Sequence, residues 1–167
     1  MTTIAARELD AVRYLYLREV SEPRDNSLRL VVEEAVVNPS GVARVTPELL
    51  STELASVFKD ASPIARVEGC RLFEIYWKRY AAYLVTEELV GSNAANGYDD
   101  ESYTGRILRV YSQSHFLNHL ARDTGGHIDP FQHYKLICLN HLIDVAAYAP
   151  SEVCLLAPQP TVQPQIE

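Results

Sequence analysis

The chain has 167 residues, enough for one well-cored domain, and its 47% hydrophobic and 22% charged content excludes a largely disordered polymer. Fifteen Lys and Arg against 22 Asp and Glu leave a formal net charge of -7, which disfavours general binding to phosphate backbones unless the cations are gathered in one place. No apolar run approaches the roughly 20 residues a membrane helix needs, and the N-terminus lacks a basic flank followed by an apolar stretch, so a cytoplasmic protein without membrane contact is expected.

Residues 12–20 alternate and are rich in aromatic and branched side chains, the pattern of a strand. Ser21-Glu-Pro-Arg-Asp-Asn-Ser27 supplies turn chemistry, and residues 28–37 read as a second strand, giving an antiparallel hairpin with a long loop. After the Asn38-Pro-Ser-Gly41 break, Thr46-Pro47-Glu48 starts a helix expected over 47–59, with Leu50, Leu54, Val57 and Phe58 on one face. Ile64 to Val67 form a short strand, followed by a tight turn at Glu68-Gly69. From Phe73 to Val85 the period is two, broken only by Arg79. One long bent strand is expected there, bulged near Ala81-Ala82, with Trp77 buried against the 47–59 helix. A helix across 80–90 is the alternative.

Residues 91–102 read as a polar loop. Arg106 to Tyr111 form a strand, Ser112 or Ser114 caps a short helix through Arg122, and Asp123-Thr-Gly-Gly126 ends it. Tyr134–Leu139, His141–Ala147 and Glu152–Leu156 are further strands. The sum is an α+β fold: a curved antiparallel sheet of six to eight strands with two short helices. Residues 1–157 are expected to form one domain and 158–167 a proline-punctuated tail. The three cysteines, Cys70, Cys138 and Cys154, lack a C-x-x-C pair and are expected to be free thiols on buried strands.

All five histidines fall between 115 and 141. On the expected helix His115, His119 and Asp123 share one side at i, i+4 and i+8, and with His133 (or His127) they could hold a divalent metal such as zinc for a hydrolase-like enzyme. Against this, His115-Phe-Leu-Asn-His119 lacks the glutamate of a zinc-protease helix, and a solvated polar face explains the pattern as well. Cys138-Leu-Asn-His141 has zinc-like spacing that could chelate only if Asn140 makes a turn. Asp123-Thr124-Gly125 matches the aspartic-protease tripeptide but reads more economically as a helix end. Ser112, Ser114 and Asp144 could combine with a histidine into a hydrolase triad, although no G-x-S-x-G elbow accompanies them.

Tyr98, Asp99, Asp100, Glu101 and Tyr103 join carboxylates with aromatic area in the segment 91–104, a combination suited to steering and holding a basic protein. The sequence therefore favours a small acidic binding protein without a cofactor, an immunity-type inhibitor of a basic partner being one instance. The metal-dependent enzyme is the alternative.

Overall fold

The computed structural model describes residues 3–37, 62–90, 100–126 and 131–157. The expected hairpin is present: β1 (Tyr14–Ser21) and β2 (Leu28–Val37) pair antiparallel from Tyr14↔Ala35 to Ser21↔Arg29, with a register shift between Leu17 and Glu19. Its connection is held by local chemistry. The Ser27 hydroxyl donates to the Arg24 carbonyl (2.8 Å) and accepts from the Arg24 amide (3.0 Å), while Asn26 takes a left-handed φ of 59°. β3 (Ile64–Ala65) pairs with the end of β2, β4 (Leu72–Trp77) pairs along β2, and β10 (Glu152–Leu156) pairs with β4.

The second sheet runs in the order β5 (Tyr80–Glu87), β9 (His141–Ala147), β8 (Gln132–Ile137), β7 (Leu108–Gln113), β6 (Ser102–Thr104), again antiparallel throughout. The described residues are thus mostly β, in two antiparallel five-stranded sheets, neither closed nor strongly curled, rather than one curved sheet.

The difference arises at Lys78-Arg79. The expected long strand over 73–85 is two strands, and the chain leaves the first sheet after Trp77 and enters the second at Tyr80. The returning chain crosses beside it between β9 and β10, so Tyr76↔Glu152 pair in one sheet and Tyr80↔Ala147 in the other. Three contacts fix this corner. The Tyr80 amide donates to the Asn26 carbonyl (2.9 Å), the Tyr148 amide donates to the Arg79 carbonyl (3.3 Å), and the Arg79 guanidinium lies 4.3 Å from the Tyr148 ring centroid. The expected bulge is present, between Tyr80 and Ala82. It changes the facing parity, so Tyr80 and Tyr83 meet edge to face at 5.1 Å and both hydroxyls donate to Glu22 Oε1. Residues 80–87 are strand and 88–90 are helical.

Both sheets contribute to one core. Leu15, Leu28, Leu30, Val32, Phe73, Ile75, Trp77 and Val153 of the first sheet belong to the same buried cluster as Tyr134, Leu136, Ile143, Val145 and Ala147 of the second. Each such large side chain, fully buried, contributes about 1.5–3 kcal/mol. Trp77 is buried as expected, its ring centroid 5.6 Å from that of Tyr134. The 47–59 helix, the Asn38–Gly41 break and the 158–167 tail lie outside the described residues.

Among the described residues, two helices of eight or more residues flank the sheets. The first, α1 (Ile4–Ala11), has no counterpart among the expected elements; Thr3 Oγ1 caps it by accepting the Ala6 amide at 3.2 Å, and Leu9 and Val12 enter the core. Its Asp10 carboxylate accepts the amides of Arg106 (2.7 Å) and Ile107 (2.8 Å), and the Arg106 side chain donates to the carbonyls of Asp10 and Val12. Gly105 precedes this junction at φ 84°, where a Cβ would meet the Leu108 carbonyl oxygen at 2.3 Å. The second, α2 (His115–Asp123), starts and stops where expected. Ser114 caps its N-terminus, and beyond Thr124 the Gly126 amide donates to the Ala121 carbonyl at 2.7 Å. That glycine-rich stop is the structural role of Asp123-Thr124-Gly125.

Of the three cysteines, all free, Cys138 is buried as expected, whereas Cys70 is half-buried and Cys154 exposed. The last lies on β10, next to core residue Val153, and alternation turns it outward. Among the described residues no helix is long and apolar enough to cross a membrane.

Candidate functional site

Four of the five buried polar or charged side chains among the described residues, Ser114, His133, Lys135 and Asp144, lie where α2 meets the second sheet. β8 and β9 are buried on both faces, so any charged side chain within them must find a partner. Lys135 and Asp144 are directly opposed across these strands, and Lys135 Nζ lies 3.3 Å from Asp144 Oδ1. His133, two residues before Lys135 and on the same face, approaches that oxygen through Nε2 at 2.9 Å. Its Nδ1 stands 2.7 Å from the Ser114 Oγ. Lys135, Asp144, His133 and Ser114 therefore form one continuous buried chain, each residue less than a tenth exposed.

One proton arrangement satisfies every link. His133 Nε2–H donates to Asp144, and the Ser114 hydroxyl donates to the unprotonated Nδ1 while accepting the Leu117 amide at 3.1 Å as the helix cap. The imidazole stacks on Tyr111, with ring centroids 4.3 Å apart, and the tilted ring of Phe116 of α2 has its centroid 5.1 Å away. Tyr111 and His133 are a register pair on β7 and β8, which is why the two rings stack.

Ser114 also borders open space. With Ser112, Gln113, Leu117 and Asn118 it lines an open cleft of about 540 Å³ whose acidic wall is Asp100 and Glu101. Both carboxylates are tied to the first residue of α2. Glu101 Oε1 accepts the His115 amide (2.8 Å), and Asp100 Oδ1 pairs with His115 Nε2 (2.7 Å). The hydrogen bond to Asp100 raises the His115 pKa above its usual 6.5, and the same bond lowers that of Asp100. The Asp100 side chain remains 73% exposed, so its charge faces solvent at the cleft mouth.

Of the expected partner-binding residues, the structure brings Asp100 and Glu101 to this cleft. Tyr103 lies on β6, exposed at its edge, with its ring 5.1 Å from that of Tyr111. Residues 102–104, taken from sequence as the end of the contact loop, are strand paired to β7. Tyr98 and Asp99 lie outside the described residues.

The metal-ligand candidates are not gathered. His115 faces Asp100, His119 Nε2 lies 3.6 Å from Asp123 Oδ2 on the exposed helix, and His133 is enclosed between Ser114 and Asp144. His127 lies outside the described residues. Asn140 does make a turn, with the Cys138 amide donating to the His141 carbonyl at 3.0 Å, but Cys138 is enclosed in the core. Burial pushes its thiol pKa up to about 12, away from the thiolate a metal needs. Among the described residues no group of three or more His, Cys, Asp or Glu side chains could hold a metal ion.

Lys135 escaped sequence reasoning. The available signal was a Lys and a His alternating within Gln132–Ile137 and a lone Asp in the apolar run His141–Ala147, since buried charges occur in pairs. Comparison with protein-family models, with curated proteins and with solved structures finds no match to this chain.

Proposed function

We propose that this protein is a binding module whose recognition surface is the acidic cleft at the start of α2, and that its partner presents a basic protein surface. The observation that carries this reading is the placement of Asp100 and Glu101 on one wall of the cleft, in a chain of net charge -7. The exposed carboxylate of Asp100 steers a cationic group during encounter. Ser112, Gln113 and Asn118 offer neutral hydrogen-bonding groups on the same lining, and Tyr103 adds aromatic area on the adjoining strand. An immunity-type inhibitor of a basic toxin is one protein of this kind. The metal-dependent alternative on His115, His119, Asp123 and His133 lacks a comparable support, because those side chains do not converge.

The test is amide chemical-shift mapping of the full chain against an arginine-rich peptide and a glutamate-rich peptide of equal length. Shifts confined to residues 100–101 and 112–118 with the basic peptide alone, weakening with salt, are expected. Shifts elsewhere, or none at low salt, overturn the assignment of this cleft.

A further inference from the structure

The chain Ser114–His133–Asp144 holds an arrangement that binding does not require, and we propose that Ser114 is an acyl-accepting nucleophile for small esters bearing a cationic group. In a nucleophile–base–orienter set the serine hydroxyl donates to one nitrogen of an imidazole whose other N–H is held by a carboxylate. Here those contacts are 2.7 Å and 2.9 Å. The imidazole is turned so that Nδ1 faces the serine and Nε2 the aspartate, the reverse of the usual assignment. The proton transfer needs only one nitrogen free to accept and the other fixed as donor. His133 is catalytic in this scheme; Asp144, held in turn by Lys135, is a positioning residue. Tyr111 and Phe116 restrict the ring to that orientation and keep it almost wholly out of water.

Ser114, 8% exposed, is the one member of the set among the residues lining the 540 Å³ cleft, which puts it beside the space an ester would enter. Its Oγ attacks the ester carbonyl carbon as its proton passes to His133 Nδ1. The tetrahedral oxyanion collapses, the C–O bond to the alcohol breaks, and the leaving oxygen takes a proton from water in the cleft, because His133 does not line it. The hydroxide so formed attacks the acyl-serine carbonyl, the C–Oγ bond breaks, Oγ takes its proton back from His133 Nδ1, and the acid is released. The cationic preference rests on the acidic lining described above; the nucleophile does not.

The experiment uses the full chain and a neutral alkyl fluorophosphonate, read by intact mass and peptide mapping. One phosphonyl group on Ser114 is expected, at a rate that falls on acidification through a single titration. Loss of the general base in His133→Gln should slow labelling at least about 100-fold and abolish that titration. Asp144→Asn should slow it as well, and Ser114→Asn, which keeps a capping oxygen, should not be labelled there. Far-UV circular dichroism and Trp77 emission establish that each variant is folded. Absence of a Ser114 adduct in the folded wild-type chain overturns the proposal, as does an unchanged rate in a folded His133→Gln or Asp144→Asn chain. Hydrolysis of a choline ester and of a succinate half-ester then tests the lining separately. A preference for the cation supports the substrate class, and equal rates overturn it while the nucleophile stands.

Discussion

The side-chain amide of Asn140 pairs with the backbone of Leu17 as a strand residue would: its Oδ1 accepts the Leu17 amide at 2.9 Å and its Nδ2 donates to the Leu17 carbonyl at 3.1 Å. The neighbouring Leu139 amide donates to the Leu15 carbonyl at 2.8 Å, so the β8–β9 turn of the second sheet continues the outer edge of the first. An edge strand that would otherwise show unpaired backbone groups is thereby partly covered. Asn140→Ala removes both bonds and leaves the Leu17 groups without them. A loss of about 1–3 kcal/mol is expected in urea unfolding. Asn140→Asp keeps the acceptor but loses the donor and should fall between the two.

Trp77, on β4, connects the two sheets through its contact with Tyr134 of β8. It is the chain's single tryptophan and wholly buried, so its emission should be blue-shifted in the native state and move red on unfolding. Trp77→Ala should destabilise by about 3–5 kcal/mol, because the rigid facing sheets cannot collapse into the space. Native emission typical of water would contradict the packing.

How much of this was legible follows from where local sequence governs structure. Ser114, the glycine pair at 125–126 and the alternation of β1 and β2 act within a few residues, and those elements stand where expected. The corner at Lys78-Arg79 does not act locally. Alternation continues through it with Arg79 as the only interruption, and what turns the chain is the distant Asn26 carbonyl and the crossing strand at Tyr148. The first helix was passed over because its eight residues carry few large apolar groups, and its anchorage comes from Leu9, Asp10 and Val12 meeting distant segments. In the same way Ser114, Asp144 and a histidine could be written down as a set, but only register places His133 beside Tyr111 and in reach of both.

Burial should separate two ion pairs of the same chemical kind. Lys135–Asp144 has side-chain exposures of 7% and 10%, whereas Arg18–Glu33, at 2.7 Å, has 46% and 20%. Lys135→Met leaves Asp144 in a dry site with only the His133 N–H, and a loss of about 3–5 kcal/mol is expected. Arg18→Ala should cost below about 1 kcal/mol, because solvent screens that pair and Glu33 keeps Arg66 at 3.6 Å. Equal losses in parallel urea titrations would show that the buried pair is solvated in solution.

The Asp100–His115 contact at the cleft mouth should be visible in the titration of both partners. His115 is raised above 6.5 first by its hydrogen bond to Asp100 and then by the charges of Asp100 and Glu101, while Asp100 is lowered below 3.8 by the same bond. The signs fix the pH window. The histidine's share of the stabilisation is fully present below pH 6.5 and is lost as pH rises through its raised pKa. The carboxylate's share is present above pH 3.8 and is lost as pH falls through its lowered pKa. The pair is therefore complete between the lowered and the raised value. Above that window the neutral imidazole leaves Asp100 unneutralised, so affinity for a basic peptide should rise as His115 loses its proton. Imidazole proton shifts measured by NMR at low ionic strength should place His115 above 6.5. Asp100→Asn should return it towards that value, and so should about 1 M salt, at which screening acts over roughly 3 Å. A His115 titration at or below 6.5 in the wild-type chain would show that Asp100 is not held beside it in solution.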